Sequence, residues 1–158
     1  MIYFDLDNTI RNLDLHNIPG GPKSWEASMP DGTSIKTYID NNLDMLICSH
    51  PTEYYSIIKD SVKCPVILTH QQINWLPYTI NWLDRHFKQY ELINVNSIPE
   101  KEKYINNGDY LVDDYPYFSS KITDNLLLIS MNYNQDSPCR VRVTKPIDLL
   151  PYLKECYV

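Results

Sequence analysis

The chain has 158 residues, of which 43% are hydrophobic and 22% are charged, so it is large enough to form one globular domain with its own core. Its net charge of −6 argues against broad, sequence-independent binding to nucleic acid, which needs a basic face. No apolar run approaches the ~20 residues that span a membrane, and Asp5 interrupts any N-terminal signal sequence. We therefore expect a single domain over residues 1–158 that is soluble and cytoplasmic (intracellular), with no membrane association. Its size suits a phage or bacterial genome.

The first predicted strand is Ile2–Leu6, a short apolar run that ends among acidic residues. Residues 10–42 differ from it, because Pro19–Pro22 and Pro30–Gly32 are rich in proline and glycine, as turns and loops are. We interpret residues 10–42 as a short cap or flap inserted after the first strand. Residues 35–47 are compatible with either a helix or a strand.

The middle of the chain is predicted to contain two helices separated by a strand. Pro51–Asp60 has the proline near its first turn that many helices have, and Cys64–Leu68 is a run of strand-forming residues that ends at Thr69. The second helix is the clearest element, because its apolar residues recur at steps of three and four and would share one face. Pro77 then belongs to its first turn. The residues of this predicted face are Ile73, Leu76, Ile80, Leu83 and Phe87.

The rest of the chain continues the alternation. Glu91–Val95 is predicted to be a strand, residues 97–107 a polar connection, Tyr110–Val112 and Leu126–Ser130 two buried strands, and Ile147–Cys156 a closing helix. Strands that alternate with helices predict an α/β fold. We expect a Rossmann-like three-layer sandwich with a central parallel sheet of about five strands and the small cap insertion after strand 1.

Polar residues at the ends of the predicted strands are the candidates for chemistry, since parallel sheets bind ligands outside the carboxyl ends of their strands. Several carboxylates brought together there raise one another's pKa, and a divalent cation relieves their repulsion. Oxygen ligands favour Mg²⁺, which also accepts a substrate phosphate oxygen. The residues that follow predicted strands are Asp5, Asp7, Thr69, Asp113 and Asp114.

Asp5 and Asp7 are two residues apart, so an extended chain would place them on the same side. One carboxylate can attack phosphorus as a nucleophile, and the second can protonate the leaving oxygen and later activate water. A lysine would stabilise the charge of the transition state. Lys101 and Lys103 compete for that role, and we favour Lys103 because of its spacing to Asp113.

Four short motifs resemble those of the haloacid dehalogenase-like phosphatase superfamily, in the same order along the chain. Asp5-Leu6-Asp7-Asn8-Thr9 resembles the first motif, Val66-Ile67-Leu68-Thr69 the second, Lys103 the third and Leu111-Val112-Asp113-Asp114 the fourth. A single motif of this kind is weak, but four in order are specific, and together they cover nearly the whole chain.

The resemblance implies a role for each matching residue. Asp5 would be the nucleophile and a metal ligand, and Asp7 the general acid–base, which binds Mg²⁺ through its backbone carbonyl. Thr69 would donate a hydrogen bond to the phosphoryl group, and Lys103 would neutralise that group and Asp5. Asp113 would ligate Mg²⁺, and Asp114 would support the metal directly or through water. These assignments follow from the family, not from the spacing of the residues.

Within the superfamily the chain is most similar to the 5′(3′)-deoxyribonucleotidases. The stretch from Lys103 to Asp114, the aromatic helix with Trp82 and the tail around Asn134-Gln135 carry this similarity. The chain departs from that group in two ways. Asn8 stands where glycine usually follows the second aspartate, and the cap before the second motif is shorter than theirs, which leaves the substrate open.

Two further residues are candidates for binding the substrate. His70 follows Thr69 directly and could line the site, with its backbone N–H facing the phosphate. Trp25 lies in the Gly/Pro-rich insertion and could stack on a base or cover the pocket. Packing in the core is the alternative for Trp25. Trp75 and Trp82, at helical spacing, are more typical of core residues.

The sequence thus predicts a Mg²⁺-dependent phosphomonoesterase that works through an aspartyl-phosphate. The expected substrate is small and phosphorylated, with (deoxy)nucleoside 5′-monophosphates preferred. A phosphatase acting on polynucleotide ends or on another phosphomonoester is an alternative, and a non-catalytic protein that binds a nucleotide is a third. The oligomeric state is left open.

Overall fold

A fully parallel six-stranded sheet lies at the centre of the computed structural model, which describes residues 1–13, 15 and 28–154. Its strand order is β3-β2-β1-β4-β5-β6, and each neighbouring pair is parallel. The strands are β1 (Ile2–Phe4), β2 (Val66–Thr69), β3 (Glu91–Asn94), β4 (Tyr110–Asp113), β5 (Leu126–Ile129) and β6 (Val141–Val143).

Helices lie in four of the five connections between these strands, and two more follow β6. The α-helices are α1 (Ile35–Asp40), α2 (Met45–Cys48), α3 (Tyr55–Ser61), α4 (Leu76–His86) and α5 (Leu150–Leu153). The described 3₁₀ helices include Ile98–Tyr104, Ser120–Asn125 and Pro146–Leu149. Within the described residues, none of these helices is both long and apolar enough to cross a bilayer.

Apolar residues that alternate along the strands create a separate core on each face of the sheet. Phe4 belongs to a cluster with Trp82 and Leu83 of α4, whereas its neighbour Tyr3 belongs to a second cluster with Leu111 of β4. Successive side chains of a strand point to opposite faces, so a parallel sheet covered on both faces needs nearly continuous apolar strands. The predicted Rossmann-like α/β architecture is therefore confirmed.

The expected count of about five strands is too low by one, because β6 was not recognised. In this strand Val141 and Val143 alternate with Arg142, whereas a buried parallel strand is apolar throughout. The difference reflects its position, since β6 lies at the edge of the sheet and pairs with β5 alone. Arg142 instead donates from Nη2 to the carbonyl of Ser137 at 2.8 Å.

Helix α4 confirms the expected type of element but corrects the face that it buries. Pro77 lies in its first turn, as expected. However, Ile73 lies before the helix and is 86% exposed, and Ile80 is 40% exposed. The residues that α4 buries are Thr79, Trp82 and Leu83. The helix thus packs through the face that carries the tryptophan, which fills the core as the largest fully buried side chain.

The insertion between β1 and β2 has a small apolar cluster of its own. Residues 35–47 are helical, since they contain α1 and most of α2. The cluster joins this segment to the start of α4, and its buried members are Leu13, Leu15, Met29, Ile39, Leu46 and Trp75. It extends beyond residue 42, the limit that we expected for the cap. Much of the predicted cap, including Trp25, lies outside the described residues.

The strand order positions a crevice at the carboxyl end of β1. The chain passes from β1 to β2 and β3 on one side and then returns to β4, β5 and β6 on the other. Such a reversal between β1 and β4 leaves the connections that follow these two strands on opposite sides, so a gap forms between them. The residues that follow β1 and β4 therefore face one another across this gap.

Candidate active site

Asp5 lies at the head of this crevice, directly after β1. Its backbone N–H donates to the carbonyl of Val112 at 2.8 Å, which continues the pairing of β1 with β4. Its side chain is buried and accepts a hydrogen bond from Lys101 Nζ at 2.6 Å. The same ammonium donates to Asp113 Oδ2 at 2.7 Å. One lysine thus joins the acidic residues at the ends of the two central strands.

The structure places Lys101, and not Lys103, in this position. Lys101 is 2% exposed, whereas the side chain of Lys103 is 75% exposed and pairs with Glu100 at 3.7 Å. The physical reason is the 3₁₀ helix Ile98–Tyr104, in which residues three apart lie on the same face. Lys101 shares the inner face with Ile98, which lines the cavity. Lys103 lies two residues further on and points to solvent.

Asp114 completes a group of three buried carboxylates with Asp5 and Asp113. One ligand atom from each residue lies within 4.8 Å of the others, a spacing that could hold a metal ion. Asp114 Oδ2 accepts a hydrogen bond from the hydroxyl of Tyr133. In the described part of the chain, Asp114 Oδ1 is buried without a hydrogen-bond partner. A buried carboxylate oxygen with no donor is costly, so it is well suited to a cation.

The protonation of this group reflects an excess of negative charge. Burial raises the pKa of Asp5, Lys101 opposes this effect, and Asp113 and Asp114 add to it. Burial and the charge of Asp113 raise the pKa of Asp114 to about 7. Burial alone would lower the pKa of Lys101, but Asp113 and Asp5 outweigh it and raise that pKa. Three carboxylates thus share one ammonium, and a divalent cation would balance their charge.

Asp7 lines the same cavity but has different partners. Its Oδ1 accepts a hydrogen bond from Arg11 Nε at 2.7 Å, and its Oδ2 accepts one from Gln71 Nε2, also at 2.7 Å. The side chain of Asp7 is 20% exposed, whereas that of Arg11 is fully buried. The carboxylate of Asp7 therefore lies apart from the three acids that could hold a metal, and it is held by donors on both oxygens.

Gln71 connects Asp7 with Thr69 at the end of β2. Its Nε2 also donates to Thr69 Oγ1 at 3.2 Å, and its Oε1 accepts from Thr79 Oγ1 at 2.9 Å. The sequence analysis did not select Arg11, Gln71 or Thr79, because none of them directly follows a predicted strand. A fully buried arginine has no distinctive spacing in a single sequence, so only the fold reveals it.

Asn8 makes the tight turn that follows the two aspartates. Its φ of +62° is in the left-handed region, which asparagine tolerates better than most residues because its short side chain can form local hydrogen bonds. The turn is closed by the N–H groups of Ile10 and Arg11, which both donate to the carbonyl of Leu6 at 2.8 Å. Glycine adopts such a φ without steric cost, and asparagine is among the few other residues that tolerate it.

A cavity of about 280 Å³ opens over the carboxylates. Asp5, Asp7, Thr69, Lys101 and Asp113 line its base, and mainly apolar residues of the insertion, together with Trp75 directly before α4, line its walls. His70 also lines it, as expected, and the His70 Nδ1 donates to the carbonyl of Val95 at 2.9 Å. The wall residues include Leu13, Ile35, Lys36, Ile39 and Trp75. The candidate site is thus polar at its base and apolar above.

Comparisons with protein-family models, with curated proteins and with solved structures found no match for this chain.

Proposed function

We propose that this chain is a Mg²⁺-dependent phosphomonoesterase that forms an aspartyl-phosphate on Asp5. The observation that carries the proposal is the bridge from Lys101 to Asp5 and Asp113, beside the partnerless oxygen of Asp114. A buried group of three carboxylates and one ammonium, open to a cavity, is more suited to binding a cation and an anion together than to stabilising the fold. The four motifs support the same reaction.

Asp5, Asp113 and Asp114 would hold the metal, since their oxygens converge within 4.8 Å. Both carboxylate oxygens of Asp7 are occupied by Arg11 and Gln71, so any contribution of Asp7 to metal binding would come from its backbone carbonyl, as the resemblance implies. When bound, Mg²⁺ supplies positive charge that permits the carboxylates to ionise together and balances the charge of the phosphoryl group.

The chain's own side chains account for two steps of the reaction. In the first, the Asp5 carboxylate forms a bond to phosphorus while the bond from phosphorus to the leaving oxygen breaks, and Asp7 gives its proton to that oxygen. In the second, Asp7 takes a proton from water, which attacks phosphorus and releases Asp5. Lys101 and the hydroxyl of Thr69 donate hydrogen bonds to the phosphoryl oxygens and stabilise the charge of the transition state.

The expected substrate is a small organic phosphomonoester. A phosphoryl group at the polar base of the cavity would leave its organic part against the apolar wall that includes Ile39 and Trp75. Nucleoside 5′-monophosphates fit this arrangement, since the faces of a base are flat and aromatic and can stack on apolar or aromatic side chains, and they are the substrates that the motif resemblance favours. The net charge of −6 disfavours long polynucleotides, for which phosphate contacts need a basic surface.

Phosphate release from a panel of deoxyribonucleoside and ribonucleoside monophosphates, with a phosphorylated oligonucleotide for comparison, tests the proposal. We expect Mg²⁺-dependent turnover of a mononucleotide that is lost in Asp5→Asn. Asp124→Asn is the matched control, because Asp124 directly precedes β5 and so lies at the amino ends of the strands, away from the cavity. Full turnover by Asp5→Asn would disprove the assignment of Asp5 as the nucleophile. Tight nucleotide binding by the unaltered protein without turnover would instead indicate a binding protein.

A further inference from the structure

The carboxylate of Asp7, which the proposed mechanism uses for proton transfer, is held by donors from two separate connections of the sheet. Arg11 comes from the turn after β1, and Gln71 from the segment between β2 and α4. We propose that Arg11 and Gln71 are positioning residues that fix the Asp7 carboxylate for proton transfer. The inference rests on the proposed function, and it adds two residues to which neither the motifs nor the spacing assigns a role.

Arg11 is enclosed so completely that it cannot contact a substrate. It is 0% exposed, and its Nη1 donates to the carbonyl of Leu46 at 2.9 Å and to Thr79 Oγ1 at 3.1 Å. Its guanidinium also lies 5.9 Å from the centre of the Trp82 ring. These contacts fix the plane of the guanidinium from α2 and α4, so the direction in which it donates to Asp7 is fixed as well.

Gln71 is fixed through both its backbone and its side chain. Its N–H donates to Asn94 Oδ1 at 2.7 Å, and its carbonyl accepts from Asn94 Nδ2 at 3.1 Å. Its Oε1 accepts from Arg11 Nη2 at 3.3 Å as well as from Thr79. Because these donors require an oxygen, the amide cannot flip, and its NH₂ group must face Asp7 and Thr69.

The two oxygens of Asp7 are therefore unequal. Arg11 Nε and Nη2 both lie 2.7 Å from Oδ1, whereas Oδ2 accepts one hydrogen bond, from Gln71. Oδ1 thus faces the charged guanidinium, whereas Oδ2 faces only the neutral amide of Gln71. Because the guanidinium favours the ionised form of the oxygen that it faces, we assign the transfer of the proton to the leaving oxygen, and its later uptake from water, to Oδ2.

Two substrates whose leaving groups differ in their need for a proton can show whether Arg11 and Gln71 position Asp7 or only stabilise the fold. 4-Nitrophenolate is a stable anion and leaves without a proton, whereas the alkoxide of 2-phenylethyl phosphate needs one. We expect Arg11→Lys and Gln71→Met to lower kcat/KM for the alkyl ester by about 10²-fold, within the range for general acid catalysis, and for 4-nitrophenyl phosphate by less than about 10-fold. Arg11→Lys should lose less than Arg11→Met, because it keeps a cation.

A double-mutant cycle with Asp7→Asn tests whether these residues act through Asp7. In that background Arg11→Lys should cause no further discrimination between the two esters, since the proton donor is already absent. Arg140→Lys, at a site remote from the cavity, should leave both rates unchanged. Thermal unfolding identifies variants that fail to fold. If the Arg11 variants fail to fold, the test rests on Gln71→Met, which leaves the buried ion pair of Arg11 and Asp7 intact.

Each outcome supports or overturns the inference. Equal losses for both esters in folded variants, or discrimination that persists beside Asp7→Asn, would overturn the positioning role while the phosphatase proposal stands. Absence of turnover of either ester by the unaltered protein would instead overturn the proposed function, and the positioning role with it. Selective loss for the alkyl ester, abolished in the Asp7→Asn background, is the supporting result.

Discussion

Lys101 Nζ lies 2.6 Å from Asp5 Oδ1, although 96 positions separate the two residues in the sequence. The parallel sheet accounts for this contact, because Asp5 follows β1 and the 3₁₀ helix that carries Lys101 follows β3, so both lie at the carboxyl ends of the strands. The ammonium is shared with Asp113, so it offsets part of the charge of both acids. Among the described residues, Asp5 and Asp113 therefore depend on one buried ammonium that they share.

Lys101→Met should destabilise the metal-free protein and abolish phosphate release. Removing the ammonium leaves Asp5 and Asp113 buried without a counter-ion, and breaking a buried ion pair in this way costs about 3–5 kcal/mol. The free energy of unfolding at pH 8, from urea denaturation without Mg²⁺, measures the first effect. The loss should be smaller at pH 5, because burial raises the pKa of Asp5 and this residue can take up a proton instead.

Lys103→Met is the matched control for Lys101. The side chain of Lys103 is 75% exposed and lies 3.7 Å from Glu100, and exposed pairs of this kind contribute about 1 kcal/mol or less. We expect its turnover and its stability to remain close to those of the unaltered protein. A large loss of turnover in Lys103→Met together with normal turnover in Lys101→Met would show that the lysine has been assigned to the wrong position.

Asn8→Gly should be more stable than Asn8→Ala by about 1 kcal/mol, because glycine adopts a positive φ without the steric penalty that a Cβ introduces. Both substitutions remove the same carboxamide, so their difference isolates the effect of the φ of +62°. Thermal or urea unfolding of the two variants measures it. Equal stabilities would mean that the turn relaxes to a negative φ when the side chain is shortened.

The sequence predicted well those features that repeat along the chain. Continuous apolar strands and a helix with Pro77 in its first turn were sufficient to predict a parallel α/β sheet. Strand ends also identified Asp5 and Asp113, because the carboxyl ends of parallel strands meet at one edge. Neither prediction required knowledge of which surfaces pack together.

Features that depend on packing were missed or placed wrongly. Lys101 and Lys103 differ only in which face of a short 3₁₀ helix they occupy, and the polar sequence around them does not fix that face. The exposed Ile73 shows the same limit, since helical spacing alone cannot determine where a helix begins. Gln71 meets Asp7 and Arg11 only because the connections that follow β1 and β2 converge, and such a meeting leaves no pattern in a single sequence.

Stabilisation of the protein by Mg²⁺ should increase from pH 5 to pH 8. Asp114 has a pKa of about 7 in the folded chain, against an ordinary value of 3.8, so between these values the folded state binds a proton that the unfolded state has released. The stability that this proton contributes is present below about pH 4 and is lost as the pH rises through 7. The stability of the metal-free protein should therefore fall over this range. Mg²⁺ binds the ionised carboxylates, so it restores stability most at the higher pH, where it does not have to displace a proton.

The shift in Tm on adding Mg²⁺, measured against NaCl of equal ionic strength, tests this expectation. Asp114→Asn should flatten the pH dependence, and a Mg²⁺ shift that is equal at both pH values would contradict metal binding at these three acids.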